Sequence, residues 1–270
     1  MSLIEIFIFI GLGCGIGFLA GLFGVGGGFI LVPVLIFSYE HSNLSPSILT
    51  HVAIGTSLLV VVFSGMTSAY QHRKQGNVDW RAVLMIGLAS CVTALSTTRV
   101  AAALSGRHLQ IAFAFIVLMA AVRMLTESAS KAQEKLNLSS QPGTFGLIGV
   151  GLTAGVVSAL AGIGGGVVTI PMMYQILKMP LKLAIGTSSA AIVITAFFSA
   201  AGHIMNGIGH PDLPAGNIGF VDFQRGMALA LGTMLLARAG AYVSFKTHPF
   251  LLRKLFALFI ILIAIYLLVK

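Results

Sequence analysis

Apolar residues run through this chain in long blocks, and the blocks come in a repeated order. The first covers about residues 3–37, a polar segment 38–47 without Lys or Arg follows, and further apolar runs cover about 48–70, 80–104 and 109–125. A polar stretch of mixed charge, 126–144, contains Pro142-Gly143 and reads as a linker. Beyond it the order repeats with runs near 145–177, 183–201, 223–245 and 251–268. Blocks of this length and apolarity predict membrane-spanning helices. The first run is too long for one of them, since its 35 residues as a straight helix measure roughly 52 Å against a hydrocarbon core of about 30 Å.

The run is interrupted by Gly24-Val25-Gly26-Gly27-Gly28, and Gly162-Ile163-Gly164-Gly165-Gly166 interrupts its counterpart 138 positions later. Each break is followed five residues on by a proline, Pro33 and Pro171. Glycines in a row weaken a helix by about 1 kcal/mol each. The break therefore divides the run into a helix of about twenty residues and one of about ten, which fold as a hairpin returning to its starting side. Other landmarks recur in step: Ile54-Gly55-Thr56-Ser57 with Ile185-Gly186-Thr187-Ser188, His72 with His203, each sixteen residues after its threonine, and Val78-Asp79-Trp80 with Val221-Asp222-Phe223. The expected architecture is an all-α polytopic membrane protein of two repeats, 1–125 and 145–270, joined by a cytoplasmic linker 126–144. Each repeat is a glycine-broken hairpin plus three transmembrane helices.

Composition agrees with a membrane protein and removes other classes. The chain is 57% hydrophobic and 9% charged, with a mean hydropathy of +1.00, which leaves too little polar surface for a soluble domain of 270 residues. A net charge of +9 suggests nucleic acid in a soluble protein, but here the basic residues sit in short segments between apolar runs and act as topology signals. No nucleic-acid partner is expected. If each broken run is a single span, the sixteen Lys and Arg divide evenly across the membrane; if each is a hairpin, twelve fall inside and only Arg99, Arg107, Arg225 and Lys270 outside. The positive-inside rule selects the hairpin, with both termini periplasmic. It also gives each repeat an odd number of full crossings, so the two repeats are inverted. The N-terminus, Met1-Ser2-Leu3-Ile4-Glu5, has no basic leader or cleavage site, and the first helix is expected to remain in the membrane. Cys14 and Cys91, both inside apolar runs, read as small buried hydrophobes.

The candidate chemistry lies at the breaks. In lipid an unwound backbone must be buried in protein or line a cavity. Where a new half-helix starts there, bare N–H groups and the positive end of the dipole suit an anion. Gly26, Gly27, Gly28, Gly164, Gly165 and Gly166 are the candidate binding residues on that reading. The other reading is close helix packing, which uses glycines four apart, as in Gly13 and Gly17, where alanine is expected to be tolerated. Thr56, Ser57, Thr187 and Ser188 either donate to the anion or bond back to their own helices. Asp79 and Asp222 each precede a span, as N-caps or as proton carriers. His72 and His203 fall at the ends of their spans and are expected at the interface. Arg99 and Arg238 either snorkel or line an anion-attracting vestibule. No cluster has metal-ligand spacing, and no cofactor is expected.

The paired glycine motifs with their prolines, together with the paired Ile-Gly-Thr-Ser stretches, resemble the TauE/SafE family of sulfite exporters over essentially the whole chain. The resemblance implies a bacterial inner-membrane carrier of sulfite or small organosulfonates such as sulfoacetate, exporting by alternating access. Its partners are then a small anionic substrate and the lipid bilayer. A carrier of another small anion is one alternative. An intramembrane serine hydrolase is the other, but it needs a nucleophile with an adjacent base, and no His or Lys stands at a suitable position beside the hydroxyls in the spans.

Overall fold

The computed structural model of the chain describes residues 3–23, 26–40, 44–109, 142–214 and 216–247, together with helical positions 111–112, 114–115 and 118. Gly24 and Val25, most of the expected fourth spans (109–125 and 251–268) and nearly all of the linker lie outside the described residues. The first repeat contributes α1 (Leu3–Phe23), α2 (Gly28–Glu40), α3 (Pro46–Lys74) and α4 (Trp80–Ala103). The second contributes α5 (Thr144–Ala161), α6 (Gly166–Pro171), which continues into a π-helical turn at Met172–Ile176, and α7 (Leu181–Gly207). A two-residue hairpin, β1 (Asn217–Ile218) with β2 (Val221–Asp222), then leads into α8 (Phe223–Lys246). Six of these helices, α1, α3, α4, α5, α7 and α8, are long and apolar enough to cross a membrane. The protein is an all-α polytopic membrane protein, as its pattern predicts.

Local sequence accounts for the ends of the elements. Asp79 caps α4 by accepting the Ala82 N–H at 3.1 Å, and Asp222 caps α8 by accepting the Arg225 N–H at 3.0 Å. Both are therefore the helix caps that their positions suggested. α1 stops at Phe23 and α2 begins at Gly28, while α5 stops at Ala161 and α6 begins at Gly166, so both broken runs break where the glycines stand.

The most enclosed helices are α3 and α7. Their most apolar windows are 83% and 72% buried, against 33% for α4, so they form the centre with the other spans around them. They run antiparallel: Ser68 of α3 meets Ser189 of α7 at 3.2 Å, and Gly65 lies against Val193. α4 follows α7 in the same direction, since Gly87 sits on Ile194, Ser90 bonds Thr195 at 2.8 Å and Gly202 abuts Thr98.

Backbone-to-backbone contact through glycine joins the outer helices to one another in pairs. A Cβ on Gly13 of α1 would stand 2.5 Å from the Leu229 carbonyl oxygen of α8, Gly17 faces the Thr233 backbone, and Gly21 faces that of Ala237. α8 returns the contact with Gly232 against Ile10 and Gly240 against Phe18. α5 lies on α4 in the same manner, where Cβ atoms on Gly151 and Gly155 would each stand 2.5 Å from the carbonyl oxygens of Ile86 and Ser90. Without a hydrophobic drive between helices in lipid, such close approach is a main source of packing energy. The stripe at Gly13 and Gly17 is thus the packing device the spacing indicates. The tolerance of alanine at Gly13 is overturned, because the added methyl meets backbone, which cannot rotate away.

In each of these pairs the residue numbers rise together, so α1 runs parallel to α8 and α5 parallel to α4. α3 also runs parallel to α8, with Thr56 beside Asp222 and Leu59 beside Gly226. α1 and α3 consequently point the same way, with α2 between them in the chain. The substitution Gly17→Ala should lower the stability of the detergent-purified protein by about 1–3 kcal/mol through overpacking. Gly15→Ala, two positions away with nothing within 4 Å of the new Cβ, should leave the thermal melt unchanged or slightly raised.

Candidate functional site

The two glycine breaks meet at the middle of the central pair. Gly26 and Gly27 have φ of +75° and +79°, and Gly164 and Gly165 have +73° and +85°, backbone that a side chain tolerates poorly. A Cβ on Gly26 would stand 2.8 Å from Val61 of α3 and 3.4 Å from Ile192 of α7. A Cβ on Gly164 would stand 2.6 Å from Ile192 and 2.8 Å from Val61. The same two side chains therefore face both breaks, and they hold equivalent places, each five residues after the threonine of its Ile-Gly-Thr-Ser stretch. The breaks also touch directly, since a Cβ on Gly28 would lie 2.6 Å from the Gly162 carbonyl oxygen and 2.6 Å from the Ile163 Cα. Gly27 and Gly165 look the other way, into their own first helices, towards Ile16 and Ala20 and towards Ala154.

Each break starts a helix. The Gly27 carbonyl accepts the N–H groups of Ile30 and Leu31 at 3.0 Å, and the Gly165 carbonyl accepts those of Val168 and Thr169 at 3.1 and 3.0 Å. The first N–H groups of a helix have no partner within it, so α2 and α6 both present donors and a positive dipole end at the centre. The surroundings are polar without being charged. Among the described residues, the buried side chains with polar groups are Ser, Thr, His and Tyr, and none is Lys, Arg, Asp or Glu.

The hydroxyls of α3 tie the two breaks together. Ser57 donates to the Gly162 carbonyl at 2.8 Å and Ser64 donates to the Gly26 carbonyl at 2.7 Å. Ser188, the counterpart of Ser57, is fully buried and has no hydrogen-bond partner among the described residues. The carbonyl equivalent to that of Gly162 belongs to Gly24, which lies outside them.

Thr56 and Thr187 have a use the sequence did not disclose. The Thr56 hydroxyl accepts the backbone N–H of Asp222 at 2.9 Å, and the Thr187 hydroxyl accepts that of Asp79 at 3.0 Å. The preceding glycine makes room: Gly55 abuts the Phe220 carbonyl and Gly186 the Asn77 carbonyl. The Gly-Thr pair thus seats the loop of the opposite repeat, two residues before its helix cap, against the central helix. One seat carries more than the other. The Tyr39 hydroxyl donates to Thr56 Oγ1 and Asp222 Oδ2, both at 3.3 Å, while the Arg225 guanidinium lies 4.9 Å from the Tyr39 ring centre and 3.8 Å from Asp222 Oδ2. The equivalent positions in the other repeat are Leu177 and Ala82, so no such network forms there.

The histidines sit at the ends of their spans as expected, but within the protein. His72 and His203 are 4% and 0% exposed; His203 Nε2 lies 3.0 Å from the Ala159 carbonyl, and the ring nitrogens of His72 have no partner among the described residues. Arg99 and Arg238 are exposed, and Arg238 stacks on Tyr70 at 5.6 Å. Val61, Ile192, Ser64 and Tyr39 were missed as site residues. The only signal for the first two was their equal spacing from the paired threonines.

The sequence pattern of the family described as Sulfite exporter TauE/SafE matches residues 9–267. The chain belongs to the TauE/SafE sulfite exporter family. Its curated relatives carry the same kind of name. A probable membrane transporter protein of Haemophilus influenzae is 30% identical over 258 residues, covering 94% of either chain. One of Methanocaldococcus jannaschii is 30% identical over 239 residues, covering 87% of this chain and 84% of its own. Another, YunE of Bacillus subtilis, is 24% identical with 88% of both chains covered. No solved structure matches the chain. This TauE/SafE protein is accordingly a multi-pass membrane transporter and not an enzyme.

The loop seats generate a prediction that separates framework from ligand contact. Thr56→Val and Thr187→Val each leave a backbone N–H without its acceptor, and each should lower the stability of the ligand-free protein by about 1–3 kcal/mol. Thr→Ser at either position keeps the acceptor and should melt within about 1 kcal/mol of the parent.

Proposed function

We propose that this transporter moves small sulfur oxyanions or organosulfonates, such as sulfite or sulfoacetate, across the bacterial inner membrane, probing both sides in turn from one site shared by the two glycine breaks. The observation that carries the proposal is the convergence of Gly26 and Gly164 on the same pair, Val61 and Ile192. Two half-helix N-termini at one point offer backbone donors to a single oxyanion from two directions. Gly28 and Gly166 open those half-helices, Gly27 and Gly165 supply the left-handed turn before them, Ser57 holds the Gly162 carbonyl with Ser188 as its buried counterpart, and Thr56 and Thr187 hold the frame. Among the described residues the site has no buried counter-charge, and such a site holds an anion loosely enough to release it, which a carrier requires. The family's description as sulfite exporters supports the sulfur substrate and the outward direction.

The proposal includes the inverted arrangement. The parallel pairing of α1 with α8 and of α5 with α4, around an antiparallel α3 and α7, supports it: each helix of the first repeat then runs opposite to its counterpart in the second. Inverted halves around a midplane site are the usual basis of alternating access. On the charge division the termini are periplasmic and the linker cytoplasmic.

The test is ligand-induced stabilisation of the detergent-purified protein by sulfite, thiosulfate, sulfoacetate, taurine and sulfate. A ligand at 100 times its dissociation constant should raise the apparent stability by about 2.7 kcal/mol. Gly26→Ala and Gly164→Ala put a methyl against Val61 and Ile192 and should each abolish that gain in protein that still folds. A variant that keeps the parental gain would remove its break from the site, and no response of the parent to any sulfur anion would remove the substrate class.

A further inference from the structure

Where α3 and α8 run side by side towards their C-terminal ends, cations gather on aromatic rings. Tyr70 is 47% exposed and carries two of them, Lys74 Nζ at 4.9 Å and Arg238 Cζ at 5.6 Å from its ring centre. Arg73 stacks on the exposed Trp80 at 5.9 Å, and Lys246 lies over the exposed Tyr242 at 4.6 Å. One ring attracts a single cation to its face, but two drawn to the same ring from different helices repel each other. Among the described residues, no carboxylate lies within ion-pair distance of Lys74, Arg73 or Arg238. Asp79, at the same end, has a carboxylate turned to the Ala82 N–H. The charge here calls for an anion from outside the described protein.

The surface leading up to these cations is aliphatic. Met66 stands one turn before Tyr70 on α3, and Leu231 and Leu235 precede Arg238 on α8, all three exposed. An aliphatic stripe, then aromatic rings, then cations is the depth profile of a bilayer leaflet from acyl chain to headgroup. We propose that this rim binds an anionic phospholipid, with Lys74 and Arg238 sharing its headgroup phosphate across Tyr70 and the Met66 and Leu235 stripe holding an acyl chain. A soluble phosphate uses the cations but has no use for the stripe, which is why the lipid is the better occupant. Lipid charge then bears on the spacing of α3 and α8, the pair that seats Asp222 on Thr56.

Native mass spectrometry of the delipidated full-length protein, titrated with dioleoyl phosphatidylglycerol or dioleoyl phosphatidylcholine, tests this. The parent should bind one phosphatidylglycerol about tenfold more tightly than phosphatidylcholine. The preference should vanish in the double variant Lys74→Gln with Arg238→Gln and persist in Arg107→Gln. Both changes are on exposed side chains, and an unaltered lipid-free thermal melt confirms that the double variant is folded. Equal binding of the two lipids by the parent would overturn the proposal, as would a preference that survives in the folded double variant. Displacement of the lipid by glycerol phosphate at matched concentration would overturn it too, by making the rim a site for soluble anions.

Discussion

Backbone polar groups freed inside a membrane have no water to turn to, and this structure depends on how it satisfies them. Two breaks and two loops bring such groups against the central helices. Three are answered by a hydroxyl on a central helix that the opposite repeat approaches: Ser57 donates to the Gly162 carbonyl, Thr56 accepts the Asp222 N–H and Thr187 accepts the Asp79 N–H. Ser64 does the same within its repeat for Gly26. Because Ser57 lies 105 residues from Gly162, in the other repeat, that carbonyl is satisfied only once the repeats have docked. Docking in turn relies on glycines that let backbones touch along α1 with α8 and α5 with α4.

The same economy of charge shapes the proposed transport. A buried Lys or Arg at the centre would hold an anion strongly and suffer a large desolvation penalty when the site is empty. Hydroxyls and helix ends avoid both problems. The two ends of the transporter are nevertheless unequal, since Tyr39, Asp222 and Arg225 form a polar clasp at one end while Leu177 and Ala82 occupy the equivalent places at the other.

Much of this was legible in the residues, for physical reasons that can be named. The breaks were readable because a run of 35 apolar residues does not fit a bilayer and three consecutive glycines do not belong in a packing face. The caps at Asp79 and Asp222 were readable because capping is local. The Gly-Thr seats were not, since their partners lie 108 and 166 positions away and hydroxyls in spans usually bond their own helix. Val61 and Ile192 were hidden as two apolar residues among many, and only the meeting of the breaks gives them a role. Orientation within a break was likewise invisible: Gly26 faces the centre while its neighbour Gly27 faces α1. The small-residue stripe was recognised as packing but misjudged in tightness, because spacing shows that helices touch and not how little room remains.

The central claim is that the point between the breaks opens to both sides of the membrane. A single cysteine replacing Val61, in a background with Cys14 and Cys91 changed to serine, probes that point with little change of volume. Its rate of modification by a membrane-impermeant methanethiosulfonate reagent can be followed in right-side-out and inside-out vesicles, with and without sulfoacetate. The account predicts modification from both faces and protection by the ligand on each. Modification from one face only, or from neither, with no effect of any ligand that stabilises the protein, would contradict it.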